Sequence, residues 1–198
     1  MKRRTFDKIM TAMGLGLTIF LFATAALLNW GASFASQSVT DQLTPQKIMF
    51  PAPDSEGLNA LPAADKAAVE KYAGQQVTTG EQARVYATNY IGVHVKGIAG
   101  GKTYSEVSGA ALGKSAEAKA NPGNAALQAE AAALMGQRTT LFMGETLKGL
   151  LMNAYAFGTL ATIAKTAAAV ALIGGLVFLL LTLAGYMHLR RTDADATI

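Results

Sequence analysis

Two stretches of this chain contain no charged side chain for longer than a soluble helix normally tolerates, and they constrain the fold more than any other feature. The first, Ile9 to Trp30, reads IMTAMGLGLTIFLFATAALLNW; the second, Thr166 to Met187, reads TAAAVALIGGLVFLLLTLAGYM. Each is 22 residues long. At 1.5 Å per residue, such a helix covers roughly 33 Å, enough to cross a hydrocarbon core of about 30 Å. Lys2, Arg3, Arg4 and Lys8 precede the first run, and His188, Arg190 and Arg191 follow the second. Flanking Lys and Arg mark the cytoplasmic side of a span, so both termini are expected in the cytoplasm of a two-pass cell-membrane protein. A buried soluble helix is the competing reading, and two uncharged runs with basic flanks make a poor case for it.

The first run has a second interpretation. Ser33 and Ala35 suit the −3 and −1 positions of a signal-peptidase site, so the N-terminal segment reads either as an anchor or as a cleaved signal peptide. The hydrophobic stretch exceeds the roughly 7–15 residues of an ordinary signal, which favours the anchor. Both interpretations export the middle of the chain. The expected organisation is then 1–8 cytoplasmic, 9–30 and 166–187 transmembrane, 31–165 extracytoplasmic and 188–198 a cytoplasmic tail.

Charge fits this division. Of 198 residues only 15% are charged and 51% are hydrophobic, against about 25% charged in an average soluble protein. Between Gly31 and Ala164 ten acidic residues balance ten basic ones, so the formal net charge of +4 comes from the ends and from Lys165. A basic end beside an apolar run is a topology signal and no nucleic-acid footprint. The absence of cysteine excludes disulfides, thiolate metal sites and Cys nucleophiles.

The exported stretch reads as helical. Gly31–Phe50 and the proline-containing LTPQKIMFPAPDSEG are expected to be irregular. Pro62 opens a short helix closed by Gly74. Thr78 with Glu81 fits a capping box, and the helix opened there places Ala83, Tyr86, Tyr90, Ile91 and Ile98 on one face before stopping at Gly100-Gly101. Thr103 with Glu106 forms a second box, opening a helix to about Leu112. Asn124 caps the last helix. No proline occurs after Pro122, so residues 125–191 can form one long helix, expected to break near Gly144–Gly149 or Gly158.

Chemistry-bearing patterns are sparse. His94 has no second histidine or cysteine at ligand spacing, and a non-haem iron site would need two histidines and a carboxylate. Nothing matches GxSxG, HExxH or a phosphate loop, and IAGGKT is a helix stop. No catalytic, cofactor-binding or metal-ligating residue is therefore assigned, and no cofactor is expected. Lys165 stands at the edge of the second run, where its ammonium can reach water. Ala154, Gly158, Ala161, Lys165, Ala168 and Ala169 recur at helical spacing. Such a stripe lets helices approach closely, either between the two spans of one chain or between copies.

The strings GVHVKGIAGGKTYSEVSGAAL and TLFMGETLKGLLMNAYAFGTLATIA resemble those of a family of uncharacterised actinobacterial two-span membrane proteins, over roughly residues 1–190. The resemblance implies an exported helical domain between two spans and carries no activity. The chain is therefore expected to be mainly α, with two transmembrane helices flanking an extracytoplasmic helical domain and the second span continuing a long membrane-proximal helix. Its expected role is non-enzymatic: an oligomeric scaffold or accessory subunit of a cell-envelope assembly. Its partners would be the lipid bilayer, further copies or other membrane proteins. A homo-oligomeric pore lined by the Lys165 helix and a ligand sensor needing a signalling partner are the alternatives.

Overall fold

The computed structural model describes residues 3–191. Among these the chain is helical with no strand, apart from one isolated antiparallel bridge between Met49 and Gln76. Two of its helices, α1 (Arg3–Leu43) and α7 (Ala125–Arg191), are long and apolar enough to cross a membrane. Between them lie α2 (Glu56–Asn59), α3 (Ala63–Glu70), α4 (Gly80–Val85), α5 (Gly92–Ile98) and α6 (Tyr104–Ala120). A π-helical turn, Tyr86–Ile91, joins α4 to α5. Contacts divide the chain into two units, residues 1–37 with 160–198 and residues 38–159; α1 and α7 each contribute to both.

The 38–159 unit has an ordinary hydrophobic core. Val39 and Leu43 from α1, Phe50, Leu58, Val69, Val77, Ala83 and Val85 from the middle of the chain, and Leu151 and Ala154 from α7 form one buried cluster. Full burial of a Leu or Val side chain contributes about 1.5–3 kcal/mol, so these positions hold the short helices in place. A second cluster, Val95, Ala99, Val107 and Leu141, ties α5 and α6 to α7. Phe50 packs at a tilt against Tyr72 and meets Tyr86 edge-on, with ring centroids 5.3 and 5.2 Å apart.

Caps fix the helix starts. The second expected capping box is present: Thr103 Oγ1 accepts from Glu106 N at 3.3 Å, and Thr103 N donates to Glu106 Oε2 at 2.7 Å. The first lies one residue later than the sequence suggests. Thr79 and Gln82 form it, because the Gln82 amide oxygen accepts from both Thr78 N and Thr79 N at 2.9 and 3.1 Å. Glu81 instead pairs with Arg84, whose Nε donates to Glu81 Oε2 at 2.9 Å. Asn124 Oδ1 caps α7 by accepting from Leu127 N at 3.1 Å.

Four further expectations are corrected. Residues 31–43 are helical because no proline interrupts them before Pro45, and because Ala32, Val39 and Leu43 bury one helix face. Helix α7 does not break at its glycines. A helical glycine costs only about 1 kcal/mol, and at two of these sites the missing side chain permits close approach. A Cβ at Gly144 would stand 2.5 Å from Val95 Cγ2, and one at Gly158 would stand 3.1 Å from the Cα of Gly80. Helix α6 runs to Ala120, since Val107, Ala111 and Ala118 all find burial. Ile98 is exposed, and Val95 and Ala99 take the buried positions. The π turn adds one residue to the winding, so every position after it is rotated from the phase that a regular helix would give.

The ion pairs of this unit lie at its surface: Glu81–Arg84, Glu145–Lys148 and Lys114–Glu117 within single helices, and Lys114–Glu130 between α6 and α7. Exposed pairs of this kind are worth about 0–1 kcal/mol. Glu106 differs in that the backbone N–H and hydroxyl of Thr103 hold its carboxyl below the ordinary glutamate range, with Lys102 adding to the effect. A carboxyl depressed in the folded state contributes stability above its unfolded pKa and loses it as the pH falls through the folded value. Glu106→Gln keeps a capping group but cannot titrate. Thermal melts of the detergent-solubilised chain from neutral pH into the acid range should therefore show a smaller acid loss for E106Q than for wild type, and identical slopes would contradict this assignment.

Candidate functional site: a small-residue seam between two apolar helices

The described residues of the 1–37/160–198 unit form an antiparallel pair of helices whose contact line follows a heptad. Along α1 the shielded positions include Thr11, Gly14, Thr18, Leu21, Ala25, Leu28 and Ala32, at alternating intervals of four and three. Along α7 they include Ala161, Ala164, Ala168, Ala171, Gly175, Phe178, Thr182 and Gly185, at alternating intervals of three and four. This is the period at which one helix keeps facing another. A helix against lipid alone has no such requirement.

Most seam residues are small, and the contacts explain why. A Cβ at Gly14 would stand 2.7 Å from Thr182 Oγ1; one at Gly185, 3.0 Å from Thr11 Oγ1; one at Gly175, 2.8 Å from Phe22 Cε1. Leu21 meets Gly174 in the same register, with a Cβ there 3.6 Å from Leu21 Cδ1. Each glycine therefore accommodates a side chain of the opposite helix, and the threonines and glycines exchange roles between the two members of the pair. Thr18 Oγ1 donates to Gly14 O at 2.8 Å, which satisfies a hydroxyl on a residue only 2% exposed. In hydrocarbon, where lipid tails are as apolar as leucine, helix association depends on this kind of close van der Waals packing.

The register also determines what lies at each end of the pair. It sets Ile9 opposite Met187 and Trp30 opposite Thr166, so the two uncharged runs are level over their full length. Arg3, Arg4, Lys8, Arg190 and Arg191 are all exposed and gather at one end of the pair. Arg190 Cζ lies 5.9 Å from the Tyr186 ring. Asp7 lies among these cations, its Oδ2 3.9 Å from His188 Nε2. At the opposite end Trp30 and Phe34 stack at 6.0 Å, both largely exposed, and Lys165 is exposed. Between these ends the outer surface is apolar: Ile19, Phe20, Leu27, Val170, Ile173 and Leu180 are each more than 60% exposed.

The stripe read from the sequence divides between two faces. Ala161 and Ala168 are buried in the seam, each 6% exposed, while Lys165 and Ala169 face outward. Ala154 and Gly158 belong to the 38–159 unit. There Ala154 is buried, and Gly158 approaches Gly80, whose own Cβ would stand 2.9 Å from Ala154 O. Of the topology residues, Lys2 lies outside the described residues. The α1 half of the seam is missing from that stripe, although Thr11, Gly14, Thr18, Ala25 and Ala32 carry the same three-and-four spacing of small residues and could be read from it.

His94 is exposed. Its Nδ1 lies 2.8 Å from Tyr90 O and its ring packs on Tyr90 at 4.6 Å. No group of three His, Cys, Asp or Glu side chains converges among the described residues. Compared with protein families, with curated proteins and with solved structures, the chain matches none.

Gly14 and Gly16 offer a controlled test of the seam. A Cβ at Gly16 meets nothing within 4 Å. Gly14→Leu overpacks the contact and should cost about 1–3 kcal/mol, lowering the melting temperature of the detergent-extracted protein by several degrees. Gly16→Leu should leave it unchanged or raised. Equal effects at the two positions would contradict the seam.

Proposed function

We propose that this chain is a two-pass integral membrane protein of the cell membrane, with both termini in the cytoplasm and residues about 31–165 outside. The observation that carries the reading is the register of α1 against α7, which brings two 22-residue uncharged runs level and gathers the basic flanks at one end. Lys and Arg at one end favour the cytoplasmic side, and Trp30 with Phe34 supplies aromatic side chains at the level of an outer interface. The resemblance to two-span actinobacterial proteins belongs to the same reading.

Within that topology the protein acts as a non-enzymatic, oligomeric scaffold or accessory subunit of an envelope assembly. Two features support this role. The ion-paired side chains of the 38–159 unit are engaged with one another at the surface, within helices and between α6 and α7. In addition, Phe142, Met143, Leu150 and Phe157 of α7 leave an apolar face uncovered, each 48–66% exposed, on a part of the helix that the topology places outside the span. Exposed apolar surface of this kind marks sites of association.

Because the chain has no cysteine, single-cysteine variants report topology directly. Lys119→Cys should react with an impermeant maleimide on intact cells, and Lys8→Cys only after permeabilisation; the reverse pattern would overturn the orientation. Mild detergent extraction and native mass measurement should recover multiple copies or foreign subunits. A lone monomer, also without partners after crosslinking in cells, would overturn the scaffold role.

A further inference from the structure

An open groove of about 280 Å³ runs along one side of the helix pair at its basic end. Met10, Met13, Leu17, Phe178 and Leu181 wall it, and Gly14 and Gly185 also line it. Helical periodicity extends both walls to charge. Arg3 lies one heptad before Met10 on the same flank of α1, with Phe6 between them. His188 lies one heptad after Leu181 on α7; Arg191, three residues further, is turned away from that wall, and its long side chain has to reach back across His188 to stand over the groove's end. Arg3 and Arg191 are exposed.

We infer that this groove is a binding site for an anionic phospholipid, with one acyl chain against the methionine-lined walls and the phosphate headgroup held by Arg3 and Arg191. The inference rests on the membrane reading above, which puts the groove at hydrocarbon depth and the arginines at headgroup level. Charge complementarity selects the occupant. Among the described residues Asp7 is the only acid at this end, one turn from Arg3 and 3.9 Å from His188, so a single carboxylate faces the exposed Arg3, Arg4, Lys8, Arg190 and Arg191; Asp193 and Asp195 lie outside the described residues. Guanidinium groups bind phosphate oxygens through paired N–H donors, and basic pockets between spans on the cytoplasmic side suit anionic headgroups. A zwitterionic lipid offers the same chains with a cation that these arginines repel. The helix pair also supplies its own contrast: a larger groove of about 800 Å³ near Leu28 and Ile163 has Lys165 as its neighbouring cation and no arginine.

The test uses the full chain in membranes. After a carbonate wash, protein retained in the membrane is extracted in mild detergent. It is exchanged with phosphatidylglycerol or phosphatidylcholine of identical acyl chains, and bound lipid is counted by native mass spectrometry. The wild type should retain one phosphatidylglycerol per chain in preference to phosphatidylcholine. Arg3→Gln with Arg191→Gln should reduce that retention by roughly tenfold or more, from about 1 kcal/mol per basic residue. Arg3→Lys with Arg191→Lys should restore most of it. Met10→Trp with Leu181→Trp, which fills the groove and leaves the seam glycines intact, should abolish it.

Equal retention of the two lipids would overturn the site, as would undiminished phosphatidylglycerol binding after charge removal or a second chain bound where the lipid should be. Release of the protein by the carbonate wash would instead overturn the membrane reading and take the site with it.

Discussion

The close approach of α1 and α7 governs what the rest of the helix pair can do. Side chains at Gly14, Gly175 or Gly185 would collide with Thr182, Phe22 or Thr11 at 2.7–3.0 Å, so the helices could not meet at this distance with ordinary residues in the seam. In water, burial of leucines would drive such a pair together. In lipid that drive is absent, and the remaining attraction is dispersion between atoms in contact, which weakens steeply as a gap opens between them. The same contact fixes the register, and the register levels the uncharged runs and brings the basic ends together. A handful of missing side chains thus decides how the apolar band is assembled.

The 38–159 unit is packed differently. Its core contains Leu, Val and Phe side chains drawn from separate segments of the chain, and its helix starts are set by hydroxyl and amide caps. Glycine serves packing here too, at Gly80, Gly144 and Gly158, but around a core whose main stabilisation comes from removing apolar area from water. The unbroken α7 belongs to both units. It changes its facing residues from Leu141, Leu147 and Leu151 to alanine, glycine and threonine as it passes from one to the other.

Much of this is legible in the sequence, and the exceptions are specific. The two uncharged runs, the Thr103 box and the Asn124 cap depend on local composition and spacing, which a sequence displays directly. The helical course of residues 31–43 is hidden because GASFASQSVT has weak helix preference, and Val39 and Leu43 provide the stabilisation only through contacts with distant residues. The shifted first cap turns on whether Glu81 or Gln82 reaches back, a choice made by Arg84, which engages Glu81. The π turn leaves no pattern to read, and it displaces the buried face from Ile98 to Val95 and Ala99. At the seam, small-residue spacing on α7 alone groups Lys165 and Ala169 with residues that face the other way; only the matching pattern on α1 separates them.

Disulfide formation in the cysteine-free chain reports whether α1 and α7 of one chain meet in this register. Thr11→Cys with Gly185→Cys, and Gly14→Cys with Thr182→Cys, should oxidise within one chain in membranes, changing its electrophoretic mobility without joining two chains. Gly16→Cys with Thr182→Cys should not. Crosslinks confined to pairs of chains, or equal crosslinking at position 16, would show that the two helices of one chain do not pack through this seam.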